Sequence, residues 1–256
     1  MEAMDTAQLS EEKQPAELIS KNGMRLDGRG LEEFRRVFLK TGVISQAAGS
    51  VYAEFGGTKL MVGVYGPRQS DRKETFSDSG RVNCEFELSK IPKTQQEIFA
   101  QKVLQRELSA TVQTALEAVV QVETFPKLVL DVFCTVLERG GSEVAVAITA
   151  AALAIADAGI EMKDLVSACS VSKIKGALLL DPTGQELSRE NGGVLLASMG
   201  TGGEIAQLVT RGRWTDEELK EALELCLGGC AQLDGAGRQA LKEAAVEKIK
   251  EQAEKS

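Results

Sequence analysis

Gly140-Gly141-Ser142-Glu143-Val144-Ala145-Val146-Ala147-Ile148-Thr149-Ala150-Ala151-Ala152-Leu153-Ala154-Ile155-Ala156-Asp157-Ala158-Gly159 is the stretch around which the rest of the chain has to be arranged. Almost every residue from Val144 to Ala158 is Ala, Val, Ile or Leu. A helix of that composition has no polar face and is buried nearly all round. Its alanines let a sheet or a second helix approach closely. Ser142 is placed to cap it, with Glu143 in the first turn, and Gly159 suits the position just past its end. The run is too short for a bilayer, which needs about 20 apolar residues.

Upstream, Val129 to Leu137 is an apolar strand bounded by Gly140-Gly141. Before it, Leu104, Leu108, Val112, Ala115 or Leu116, and Val119 recur at helical spacing within Thr94 to Val122. Earlier still, Val37–Ile44, Val51–Phe55 and Lys59–Tyr65 are strands separated by glycine turns, which predicts an antiparallel meander ended by Gly66-Pro67. Arg68 to Gly80 is charged and is expected to be a solvated loop, with a strand returning at Val82–Leu88. Downstream, Val166–Ile174, Ala177–Leu180, Val194–Met199 and Ile205–Thr210 are four more strands, the last two joined at Gly202-Gly203. Thr215 and Glu218 form a capping box for a final helix. Its apolar stripe runs from Leu219 to Ile249, and Gly228-Gly229 and Gly235 to Gly237 predict a bend or break.

Strands and helices come in mixed blocks. That predicts an α+β fold, with mixed and antiparallel sheets packed against helices, over a doubly wound one. Residues 1–24 are polar and are expected to form a flexible tail. Residues 25–250 form the folded domain, and residues 251–256 are expected to fray.

The 256 residues carry a net charge of −8, which argues against a free nucleic-acid binder with a wholly basic surface. The chain has no histidine, so His-based triads and His-ligated zinc sites need a partner's residues. Five cysteines form no CxxC pair. Cys226 and Cys230 share a helix face as buried thiols, which suits a reducing compartment. The first residues have no apolar signal-peptide region, and no GxxxxGK[ST] loop is present.

Three blocks resemble the RNase PH family of phosphorolytic exoribonucleases. They are Arg25-Leu26-Asp27-Gly28-Arg29; Ser45 to Tyr52 with Gly56-Gly57-Thr58-Lys59 and Gly66-Pro67-Arg68; and Ala145 to Leu165. Their order and spacing span residues 25 to about 250. The Ser45-Gln46-Ala47-Ala48-Gly49-Ser50 block and Arg106-Glu107-Leu108 look most like the non-catalytic members of the eukaryotic RNA exosome ring. The resemblance implies an RNase PH-like fold, paralogous ring subunits and RNA-binding cap subunits as partners, and contact with RNA through the assembled complex. It also implies a nuclear, nucleolar and cytoplasmic location and no membrane.

Catalytic relatives carry two aspartates, six residues apart, for metal binding and acid chemistry. Those places fall here on Leu187 and Gly193, and neither side chain can bind a cation or move a proton. Glu143 stands where the family has a phosphate-binding arginine, and an arginine pair that grips RNA falls on Val103 and Leu104. The resemblance therefore implies no catalytic residue, no metal and no cofactor. A Gly-Ser turn remains in which Ser142 could still donate to phosphate. Arg68 and the shifted Arg106 are the candidate RNA contacts, although Arg68 reads more readily as a solvated loop arginine. Arg25, Asp27 and Arg29 are expected to make structural ion pairs in an N-terminal hairpin, and Asp181 to end a strand. An active phosphate-dependent exoribonuclease would need Glu186 or Asp181 to replace the missing aspartates.

Overall fold

The computed structural model describes residues 18–20, 23–69, 79–89, 94–200 and 203–254. Nine strands form two sheets. β1 (Val37–Thr41), β2 (Gly49–Phe55), β3 (Thr58–Gln69), β4 (Arg81–Leu88) and β5 (Leu128–Glu138) make the first, in the order β1-β2-β3-β5-β4. The β1-β2-β3 part is the predicted antiparallel meander, with Val51 opposite Val62 and Ala53 opposite Leu60. β4 and β5 are parallel and are joined through α1 (Gln95–Glu117). β6 (Val166–Ile174), β7 (Ala177–Leu180), β8 (Gly192–Met199) and β9 (Glu204–Gly212) make a second, wholly antiparallel sheet in the order β7-β6-β8-β9.

The all-apolar helix α2 (Glu143–Asp157) is the centre of the molecule. Every residue from Ala145 to Ile155 is buried. It packs against the first sheet on one side and the second on the other, in a core with Val51, Leu60, Val62, Val166 and Ala168. Contact is closest at Gly49, where a β-carbon would lie 2.2 Å from the Ala154 carbonyl oxygen and 2.4 Å from the Ala158 nitrogen. α4 (Asp216–Glu254) covers the outer face of the second sheet with Cys226 and Cys230 against Cys169, Val171 and Leu196. The expected capping box starts it: Glu218 N–H donates to Thr215 Oγ1 at 3.3 Å, and Thr215 N–H to the Glu218 carboxylate at 3.0 Å.

Several expectations need correction. β3 does not stop at Gly66-Pro67. It passes through an irregularity in its pairing between Tyr65 and Arg68, and Arg68 and Gln69 still face Val129 and Leu128, so both are strand rather than loop. Residues 70–78 of the expected loop lie outside the described residues, and at its end Gly80 N–H donates to the Val122 carbonyl at 2.9 Å. Ser142 does not cap α2 through its side chain. It adopts a left-handed backbone (φ 57°), which turns its hydroxyl away to donate to the Pro182 carbonyl at 2.9 Å. α4 is unbroken, because Gly229 and Gly237 lie on its packed side, where a β-carbon would be 2.9 Å from the Phe34 ring and 3.0 Å from Leu153. A four-residue helix, α3 (Gly184–Leu187), was not anticipated.

Of the expected N-terminal tail, residues 1–17, 21 and 22 lie outside the described residues. Leu18 is buried against Ile174 and Leu179, and Ile19 bridges Arg25. At the other end, α4 continues to Glu254, and residues 255 and 256 lie outside the described residues.

Candidate functional site

Beside the N-terminus of α2, three arginines from the entry segment converge on the turn that follows β7. Arg25 is 3% exposed and pairs with Glu186 at both carboxylate oxygens (Nε 2.9 Å, Nη2 2.5 Å). It also donates to the carbonyls of Leu180 and Asp181 at 2.6 and 3.0 Å. Arg35 holds the Asp181 carboxylate in a fork, with two contacts of 2.7 Å. Its remaining donors reach Thr58 Oγ1 at 2.9 Å and the carbonyls of Gly140 and Gly141 at 3.0 Å each. Arg29 pairs with Asp27 at 2.7 Å and lies 3.8 Å from the Asp181 carboxylate. The expected ion pair within the N-terminal hairpin is seen for Asp27 and Arg29, whereas Arg25 makes its structural pair across the molecule, with Glu186 on α3. Arg35 completes the set without having been anticipated.

Burial pushes the Glu186 carboxyl up, but the Arg25 guanidinium and the Thr183 N–H and hydroxyl outweigh it. The group is held below the ordinary glutamate value of 4.5. Glu186 accepts from Thr183 N at 2.7 Å and Thr183 Oγ1 at 2.9 Å, which closes α3 as a capping box. Both acids that could stand in for the missing aspartates are thus committed to arginine.

A cleft of about 440 Å³ opens between α1, the start of α2, β6 and the β8–β9 pair. Leu104, Glu143, Leu187 and Gly193 all line it. Positions named from a linear pattern, up to 89 residues apart, thus meet in one place. Ser142, Ser170 and Ser172 supply hydroxyls, and Arg139 and Arg211 supply positive charge. Ser142 is already engaged, donating to Pro182 and accepting from Ser170 at 2.8 Å, so the expected phosphate donor has spent its proton. Arg139 lies 3.3 Å from Glu143, four residues along the chain.

One carboxylate in the cleft was missed in the sequence. Glu190 Oε2 accepts from Ser172 Oγ at 2.5 Å, and its Oε1 lies 4.0 Å from Arg211. A β-carbon on Gly193 would be 3.0 and 3.2 Å from these two oxygens, so Glu190 fills the space that a side chain at 193 would take. No local signal marks it, because its partners lie on β6 and β9.

A divalent cation does not fit the residues present. Leu187 and Gly193 offer no ligand, Glu190 is bonded to Ser172 and Glu143 is paired with Arg139, and no group of three or more His, Cys, Asp or Glu, Glu107 of the cleft included, is arranged for a metal among the described residues. The two candidate RNA contacts are not brought together. Arg68 pairs with the buried Asp131 on β5, with its own side chain 48% exposed, and Arg106 is exposed on α1. Neither lines the cleft.

Residues 33–161 match the model of domain 1 of the 3′ exoribonuclease family, RNase PH, and residues 164–229 match domain 2. The chain belongs to the RNase PH family. An Arabidopsis thaliana protein described as exosome complex component RRP41-like is 43% identical over 221 residues, covering 86% of this chain and 85% of that one. The exosome complex component Rrp41 of Methanopyrus kandleri is 36% identical over 233 residues, covering 91% and 98%. Among solved structures, rice (Oryza sativa) Rrp46 superposes with a TM-score of 0.74 at 22% identity, over 85% of this chain and all of that one. A chain of the Archaeoglobus fulgidus exosome with RNA bound to the active site gives 0.71 at 20% identity, over 84% and 93%. These likenesses establish the RNase PH-like α+β fold expected from the sequence. Among the described residues no helix is long and apolar enough to cross a membrane.

Proposed function

We propose that this RNase PH-family chain is a structural, catalytically inactive subunit of an exosome core ring. It supports 3′–5′ RNA processing and degradation by the complex, in the nucleus, nucleolus and cytoplasm. Its partners are paralogous RNase PH-like subunits and RNA-binding cap subunits, and RNA reaches it through the assembly, with Arg68 and Arg106 as its candidate contacts. The observation that carries this reading is the composition of the cleft. Phosphorolysis sets phosphate beside an anionic RNA backbone and so needs fixed positive charge and donors. Here Leu104, Glu143, Leu187 and Gly193 line the cleft, its two arginines Arg139 and Arg211 face the carboxylates of Glu143 and Glu190, and the nearby acids Asp181 and Glu186 are held by arginines. The outer face of the first sheet supports a ring contact. Phe38 is 51% exposed and stacks edge-on against Tyr52, and Tyr65 does the same against Phe133.

The alternative is an active phosphate-dependent 3′–5′ exoribonuclease. The Rrp41 names of the relatives and the Glu190 carboxylate favour it. Incubating the purified chain with RNA, phosphate and magnesium separates the two. We expect no nucleoside diphosphate. Diphosphate release that depends on phosphate and disappears in Glu190→Gln would establish the alternative.

A further inference from the structure

The seat of Glu190 is built as an anion site. Ser172 is 1% exposed and directs its hydroxyl to the carboxylate at 2.5 Å. Gly193 leaves the space open, since any β-carbon there would press on both carboxylate oxygens. Arg211 stands at the mouth, 4.0 Å away and 70% exposed, while the Glu190 side chain is only 18% exposed. A carboxylate that far out of water needs donors. Among the described residues the carboxylate has one neutral hydroxyl and one distant cation, which is enough to hold an anion and too little to hold it tightly.

We propose that this pocket is an oxyanion-binding site of carboxylate size, occupied by the chain's own Glu190 as an intramolecular ligand. The ligand it takes once Glu190 is withdrawn is a small carboxylate, bound by the Ser172 hydroxyl over Gly193 and steered by Arg211. The inference goes beyond the non-catalytic reading and does not depend on it, because it concerns anion binding without RNA.

The test is chemical rescue. Glu190→Ala is heated in sodium acetate and in sodium chloride of equal ionic strength, beside the wild type and Glu190→Ala/Ser172→Ala. Acetate at ten times its Kd is expected to raise the Tm of Glu190→Ala by about 3–6 °C over chloride. The wild type, whose seat is filled, and the double variant, which lacks the hydroxyl, are expected to show no such rise. If Glu190→Ala is unfolded in chloride, recovery of its helical circular dichroism in acetate is the same measurement. A phosphate arm reads size: a rise there as well widens the class to tetrahedral oxyanions. Equal responses to acetate and chloride in Glu190→Ala, or an acetate response as large in the wild type, would overturn the proposal. Neither result bears on diphosphate release, so the two readings fail separately.

Discussion

Arg25 and Glu186 are 161 positions apart and both almost fully buried, so neither is tolerable alone. Arg25→Met removes the cation from the Glu186 carboxylate, leaving it only the Thr183 donors, and takes a donor from each of the Leu180 and Asp181 carbonyls. It is expected to destabilise the chain by about 3–5 kcal/mol in urea denaturation at neutral pH. The pH dependence has a definite sign. Because the folded Glu186 titrates below its ordinary value of 4.5, its contribution is present above that value and is lost as pH falls through the lower, folded one. The gap between wild type and Arg25→Met should therefore narrow in acid below about pH 4.5, and a gap that widens there would contradict the assignment. At Gly193 the prediction concerns charge and space together. Gly193→Asp places a second carboxylate against Glu190, with contacts already at 3.0 Å for the first added atom. We expect a loss on the order of 1–3 kcal/mol, relieved in part by Glu190→Gln in a double-mutant cycle. Leu187→Asp with Gly193→Asp should yield no phosphorolysis, since Glu143 remains in the cleft and Leu104 still stands where an arginine is needed. RNA degradation by that variant would show that carboxylates alone were missing.

Among the elements, those with a periodic or compositional signature were legible. The meander alternates buried and outward residues, α2 is apolar throughout, and Thr215 with Glu218 announces α4. What was not legible depended on distant partners. Arg35 is surrounded by the acid at 181 and carbonyls 105 and 106 positions away, and Glu190 by a serine and an arginine on other strands. α3 is the exception. Thr183-Gly184-Gln185-Glu186 is a readable capping box, but it precedes only one turn and no apolar run. Glycines in α4 were read as breaks because a sequence does not say which side of a helix is packed. Two of them face open space, Gly228 and Gly235, with nothing within 4 Å of an added β-carbon. Gly228→Ala and Gly235→Ala should each raise stability by about 0.5–1 kcal/mol. Gly49→Ala should do the opposite, by roughly 3 kcal/mol or more, because backbone atoms of α2 occupy its space. Thermal unfolding of the three variants compares these signs directly; a stabilised Gly49→Ala would contradict the close approach of β2 to α2.

For the molecule as a whole, the ring reading predicts heteromeric association. Phe38 on the first sheet and Phe99 on α1, 51% and 72% exposed, give apolar surface to cover, and a net charge of −8 disfavours packing like against like. A stable contact needs more than about 1,000 Å². Co-expression with candidate paralogues, followed by native mass spectrometry and cross-linking, should give mixed assemblies. A monomer that binds none of them, or a homohexamer formed by this chain alone, would remove the basis for the ring proposal.

The buried arginines also set a timetable for synthesis. Arg25, Arg29 and Arg35 leave the ribosome first, and their partners Asp181 and Glu186 come roughly 150 residues later. At about 5–20 residues per second, that is a wait of roughly 8–30 s. Strands β1 to β7 are translated in the meantime, while Arg25 and Arg35 wait for their carboxylates and Arg29 has its neighbour Asp27. Closure of the entry segment is therefore reserved for a chain whose second sheet has begun to emerge, and any nascent fragment ending before Glu186 leaves Arg25 without its carboxylate partner.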